Sequence, residues 1–202
     1  KPIGDGNTGP NTGGMGSVSP AADIPDDLAD ELMARVHLPV VAEMRRRGTP
    51  FTGVLYAGIM MTPAGPRVLE FNARFGDPET QALLPRVDED LVELLTLAAD
   101  GTLPDRPVSV GAGAAVAVVL AAADYPGTPR TGDVITGLDA AADAGAEVYH
   151  AGTAAGTNGD IVTAGGRVLA ESAGGDTVAE ARARAYAAAE LVQFDGRQMR
   201  GD

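Results

Sequence analysis

The sequence predicts an α+β protein, and three observations carry that prediction. A helical pattern fills residues 24 to 47, and two uncharged or alternating stretches between 51 and 75 read as a hairpin. Beyond residue 104 the chain turns to short strands separated by turn clusters and closed by one helix. At 202 residues and 45% hydrophobic content the chain can bury a core in one large or two small domains.

Residues 1 to 22 read as loop, dominated by Gly, Pro, Asn, Thr and Ser. Pro25, Asp26 and Asp27 suit a helix N-terminus, where unpaired N–H groups and the helix dipole favour negative charge. Leu28, Leu32, Val36, Val40 and Met44 then recur at helical spacing. Arg45, Arg46 and Arg47 meet the negative end before Gly48. Pro39 lies inside this run and predicts a kink or break. "FTGVLYAGIMM" (51 to 61) and "RVLEFNARF" (67 to 75) are strands joined by the turn "PAGP" and expected to pair. Pro78 opens a short helix over 78 to 87, and a second helix runs from about Asp88 to Ala99. The stretch 102 to 113 reads as a linker. Strands follow at 114–122, 133–137, 146–151, 160–164 and 167–173, and then a helix from Val178 to Val192 opened by the capping box Thr177–Glu180. This pattern predicts two domains, 1–103 and 104–202.

Composition excludes several chemistries. Cysteine is absent, so disulfides, thiolate catalysis and zinc–thiolate sites are ruled out. The two histidines, His37 and His150, sit in a helical and a strand pattern, where ordinary packing accounts for them. A net charge of −13 argues against nucleic-acid and anionic membrane surfaces. No apolar run reaches the roughly 18 residues that cross a bilayer, and Lys1-Pro2 leads into glycines without a signal-peptide layout. The opening on Lys and the stop at "MRGD" are expected of a fragment of a longer protein.

Two stretches could carry chemistry. The first is "GDGNTGPNTGGMG" (4 to 16), whose opening fits G-x-G-x-x-G. The dinucleotide fingerprint needs a preceding strand and an immediate helix, and no helix starts before about Pro25. No Lys-Ser or Lys-Thr follows a glycine as a P-loop demands, and Gly9 and Gly16 fall where a calcium loop needs oxygen ligands. A linker and a loop whose N–H groups approach a ligand closely both remain consistent with Asn11-Thr12-Gly13-Gly14. The second stretch is "LEFNARFGDPETQ" (69 to 81). On a strand Glu70, Asn72 and Arg74 share one face. A carboxylate beside an amide oxygen suits Mg²⁺, and Arg74 can grip a carboxylate or phosphate with two parallel bonds. Plain alternation with a solvated polar face is the competing reading.

"GPNTGGMG" with "SP", "FTGVLYAG", "EFNARFGDPETQ", "YPGTPRTGD" and "VYHAGT" follow one another along essentially the whole chain. In that order they resemble the phosphoribosylamine–glycine ligase (glycinamide ribonucleotide synthetase) family of the ATP-grasp superfamily. The resemblance implies the C-terminal half of such an enzyme: the end of the ATP-grasp core, an antiparallel sheet with helices, then a small strand-rich domain with one helix. It implies a cytoplasmic ligase of purine biosynthesis that joins glycine to 5-phosphoribosylamine through a glycyl phosphate, with ATP as co-substrate and Mg²⁺ or Mn²⁺ as metal. Glu70 and Asn72 would be the metal ligands. Arg74 and Asp77 would orient substrate, the arginine on carboxylate or phosphoryl oxygen and the aspartate on an amine. Asn11, Thr12, Gly13 and Gly14 would line the substrate pocket with N–H donors. Another ATP-grasp ligase acting on a different small acid, and a non-catalytic module of the same fold, are the rival readings. Pro2 and Asn7 depart from the family's usual arginine and aspartate, which points to a retuned site or a diverged paralogue. The ATP-clamping lysines lie mainly upstream in this superfamily, and Lys1 is the single lysine here. The missing N-terminal half of the polypeptide is therefore the implied partner, and this chain is expected to be inactive alone.

Overall fold

The computed structural model describes residues 1–21 and 24–202. The end of the expected N-terminal loop, at Ala22, lies outside them. The chain opens with strand β1 (Pro2–Gly4), a 3₁₀ turn (Asp5–Asn7), β2 (Thr8–Asn11) and β3 (Gly16–Ser19). Helix α1 (Asp26–Leu32), a π-helical segment (Met33–His37) and α2 (Leu38–Arg46) follow, then β4 (Tyr56–Thr62) and β5 (Gly65–Asn72). Next come α3 (Glu79–Leu83), a 3₁₀ turn (Leu84–Arg86) and α4 (Leu91–Ala99). The last part holds β6 (Ala114–Ala121), β7 (Val134–Ile135), α5 (Leu138–Asp143), β8 (Glu147–His150), β9 (Thr153–Ala155), β10 (Ile161–Thr163), β11 (Arg167–Gly175) and α6 (Val178–Leu191). Every pairing among the named strands is antiparallel.

The chain forms two compact units that interleave in sequence: 1–20, 77–86 and 111–202 make one, and 21–76 with 87–110 make the other. The composition shift in the sequence falls near residue 103. Composition reports flexibility of a segment and carries no information on which distant segment it packs against.

The first unit is built on a four-stranded sheet in the order β3-β6-β11-β8. All eight residues of β6 are buried. Val116, Val118 and Leu120 pack on the α6 side, whereas Ala115, Ala117, Val119 and Ala121 face the opposite way. A strand covered on both faces needs no polar alternation, which is why "AAVAVVLA" reads as one apolar run. Ala181, Ala185, Ala188 and Ala189 are fully buried on α6, and their small side chains let the helix lie close to the sheet. The supposed N-terminal loop supplies the edge of this sheet: β3 pairs with β6 through Gly16↔Val118 and Val18↔Val116. A Cβ on Gly16 would sit 2.8 Å from the Ala117 carbonyl oxygen, so glycine there serves close strand approach. A second small sheet, β7-β10-β9, completes the unit.

In the second unit α1 and α2 are joined by the π-helical segment, whose exit is marked by a Leu38 N–H bond to the Met33 carbonyl. Proline has no N–H to donate and its ring crowds the preceding turn, so this widened turn seats Pro39 without ending the helix. The expected hairpin forms as β4–β5, closing from Thr62 to Gly65. The stretch expected to be a linker is pinned in its first part. Glu89 receives two guanidinium bonds from Arg106 at 2.9 and 2.7 Å and the Ser109 N–H, while Asp88 N–H donates to the Ser109 carbonyl. The Arg106 side chain, with help from the Ser109 amide, holds the Glu89 carboxyl at about 2, well below the usual carboxylate range. Among the described residues no helix is long and apolar enough to cross a membrane.

Candidate active site

In the first unit the glycine-rich loop is a shaped structure. β1 and β2 pair through Pro2↔Asn11 and Gly4↔Thr8, which turns Asn11 to Gly14 back along the chain start. The loop's N–H groups are engaged internally. Thr12 donates to the Lys1 carbonyl at 2.9 Å, Gly13 to the Tyr125 hydroxyl at 2.9 Å, and Gly14 to Thr12 Oγ1 at 3.1 Å. Gly14 has φ +125°, and a Cβ there would lie 2.7 Å from Pro78 Cδ. Only glycine combines that backbone with that contact. Gly14 and Glu79 border a cavity of ≈ 450 Å³ whose other walls include Lys1, Val118, Arg182 and Arg200.

Asp77 stands beside this loop. Ser17 Oγ donates to the Pro78 carbonyl at 2.7 Å, and Ser172 Oγ donates to the Gln81 carbonyl at 2.6 Å, so the 77–81 segment is stitched to both β3 and β11. Arg167, the first residue of β11, grips the Asp77 carboxylate through Nη2 at 3.0 Å and Nη1 at 3.4 Å. Its Nη1 also donates to the Asp77 carbonyl at 2.7 Å. Gln81 Nε2 adds a bond to Asp77 Oδ1 at 3.1 Å.

Asn7 lies elsewhere in this unit. Its side-chain oxygen accepts from Arg200 Nη1 at 3.3 Å, and Asp5 Oδ1 accepts the Gly201 N–H at 2.7 Å. The departure at Asn7 therefore falls on a tie between the chain's two ends.

The second unit holds Glu70, Asn72 and Arg74. Glu70 pairs with Gly58 and Asn72 with Tyr56, so the two side chains leave the same face of β5 as the spacing predicts. The strand ends at Asn72, earlier than the sequence suggests. Arg74 still reaches back, its Nη2 3.4 Å from Asn72 Oδ1 and its Nη1 2.7 Å from the Phe75 carbonyl. Gly58 opposite Glu70 puts no side chain over the carboxylate. A carboxylate and an amide oxygen on one exposed face fit a hard divalent cation, which prefers oxygen ligands. The opposite face of β5 is not a core: Leu69 is 64% exposed, set out by a bulge between Glu70 and Val68. His37, expected as packing, lies edge-on to Phe71 at 6.4 Å between ring centroids.

Sequence reasoning missed Arg167 and Tyr125. An arginine right after Gly165-Gly166, leading into the apolar run Val168-Leu169-Ala170, was the available signal.

Two family models match the chain. The phosphoribosylglycinamide synthetase ATP-grasp (A) domain matches residues 1–80, and the C domain of the same synthetase matches 115–202. A phosphoribosylamine–glycine ligase of Streptomyces coelicolor is 56% identical over 203 residues, covering 98% of this chain and 48% of the relative. The crystal structure of a phosphoribosylamine–glycine ligase from Thermotoga maritima superposes with a TM-score of 0.86 at 38% identity, over 99% of this chain and 49% of that one. The structure of N5-carboxyaminoimidazole ribonucleotide synthetase from Thermotoga maritima, at 17% identity and a TM-score of 0.58 over 89% of this chain and 45% of that one, shares the fold. The chain thus spans about half the length of the relatives it matches. An expected place in their C-terminal half is not supported by these matches. With both domain models matched in order and a mixed α/β fold with antiparallel sheets, the chain belongs to the phosphoribosylglycinamide synthetase family.

Proposed function

We propose that the complete polypeptide carrying this chain is a cytoplasmic phosphoribosylamine–glycine ligase. ATP phosphorylates the carboxylate of glycine, the amine of 5-phosphoribosylamine attacks the glycyl phosphate, and glycinamide ribonucleotide, ADP and phosphate leave. The matched regions, 1–80 and 115–202, support a modular division near residue 103 despite the interleaved packing.

In this reading Glu70 and Asn72 hold Mg²⁺ or Mn²⁺, which when bound neutralises phosphate charge. Arg74, two residues beyond Asn72, holds a carboxylate or phosphoryl oxygen with its fork. Asp77 presents its carboxylate to the amine, fixed from behind by Arg167 and Gln81. Asn11, Thr12, Gly13 and Gly14 line the substrate side. Gly14 already borders open space of a size that admits a small ligand. No protein nucleophile is required, because positioning and electrostatics carry a phosphoryl transfer of this kind.

The observation that carries the proposal is the Glu70–Asn72 pair on one face of β5, in a chain 56% identical to a phosphoribosylamine–glycine ligase. The test is ADP release by the complete polypeptide with glycine and phosphoribosylamine, beside a panel of other small acids. Glu70→Ala is expected to cut that release at least a hundredfold and to raise the metal concentration required. Release that depends on a different acid, or that survives Glu70→Ala unchanged, rejects this assignment.

A further inference from the structure

The Asp77 carboxylate and the glycine-rich loop are more than 60 residues apart in sequence, and one side chain touches both. Arg167 reaches Asp77 through a bidentate grip and a backbone bond, and its Nη1 lies 3.5 Å from the Gly14 carbonyl. Its guanidinium carbon would stand only 3.1 Å from a Cβ on Gly13. Gly13 is thus small where the guanidinium passes. Tyr125 adds a second clamp by accepting the Gly13 N–H. The base of the Arg167 side chain is rigid, because Val168 and Leu169 next to it are 0% and 1% exposed. Its own side chain is 23% exposed, and that of Asp77 is 47% exposed. One side of the Asp77 carboxylate is therefore held and the other is open.

We propose that Arg167 is a positioning residue for the ligase reaction: it fixes the Asp77 carboxylate and sets the glycine loop against it. An arginine suits this task because its planar fork matches both carboxylate oxygens. A lysine supplies the charge without the fork. The proposal rests on the reading of Asp77 given above, in which the open side of the carboxylate receives the amine.

The experiment compares Arg167→Met, Arg167→Lys, Asp77→Asn and the Arg167→Met/Asp77→Asn double variant in the complete polypeptide. If Arg167 acts through Asp77, Arg167→Met lowers kcat/KM for the amine substrate at least tenfold, the double variant is no worse than Asp77→Asn, and Arg167→Lys recovers part of the loss. Effects that multiply in the double variant, or a kcat/KM within twofold of the parent, overturn the proposal. Amide hydrogen exchange gives a readout that needs no turnover. Arg167→Met is expected to speed exchange about tenfold in segments 13–16 and 77–81 and to leave β6 and α6 unchanged. Unchanged exchange in the two segments overturns the proposal, and so does a uniform rise across the unit, which marks a general loss of stability. If the parent enzyme shows no ADP release dependent on glycine and phosphoribosylamine, the function assignment fails while the exchange result still decides the role of Arg167. Arg167→Lys, with an intermediate exchange rate, serves if Arg167→Met does not fold.

Discussion

Glu171 is fully buried on β11, paired across the sheet with Val118 and Val148, and neither carboxyl oxygen has a hydrogen-bond partner. It lies on the α6 face, since its neighbours Leu169 and Ala173 belong to that core while Ala170 and Ser172 face the other way. Burial pushes its carboxyl up to about 7. The folded pKa is raised above the unfolded value of 4.5, so the folded state holds the proton longer. Stability is fully present below pH 4.5, declines as pH rises, and levels off above about 7. A shift of this size corresponds to roughly 3 kcal/mol. Glu171→Leu is expected to remove the decline and to be more stable than the parent at pH 8 by a few kcal/mol, of the order that relieving a buried unsatisfied group yields. Urea unfolding at pH 5 and pH 8 measures both effects, and equal slopes against pH in the two proteins refute the argument. No local pattern announced this residue, because "RVLAESAG" reads as an ordinary strand and the depth of burial depends on what packs over it. Glu70 and Asn72 were legible for the converse reason: a spacing of two residues fixes a shared face whatever the surroundings.

At the scale of elements, local chemistry predicted well where it was self-contained. Helix α6 begins where Thr177 caps it, the hydroxyl accepting the Glu180 N–H at 3.2 Å. The Glu180 carboxylate returns to the Asp176 N–H at 3.0 Å, one residue further back than the usual reciprocal box. Thr177→Ala is expected to cost about 1 kcal/mol, read as a lowered thermal midpoint with unchanged kinetics of the folded enzyme. Loss well above that range would mean that Thr177 does more than cap. The hairpin β4–β5 was equally legible, since its turn and alternation lie within one short stretch. Strands β1 to β3 were not, because glycine and proline content marks them as loop until a partner strand is known. Helix α5 was missed as well, being only six residues long and rich in small side chains.

For the whole molecule, the chain covers about half of the phosphoribosylamine–glycine ligases of Streptomyces coelicolor and Thermotoga maritima, and Lys1 is its single lysine. A 202-residue polypeptide of this sequence is therefore expected to give no measurable ADP release with ATP, glycine and phosphoribosylamine, and turnover by that polypeptide would contradict the division of labour. Read alone, the sequence determined the things that depend on neighbours along the chain: helix starts and stops, the hairpin, the shared face of Glu70 and Asn72, and the strings that mark the family. Tertiary structure alone decided that β3 completes the sheet of β6, that residues 77–86 join a unit otherwise made of the chain's two ends, and that Arg167 closes on Asp77 across 90 residues. Such pairings are chosen by burial and loop closure between distant segments, and periodicity within a single segment carries no record of them.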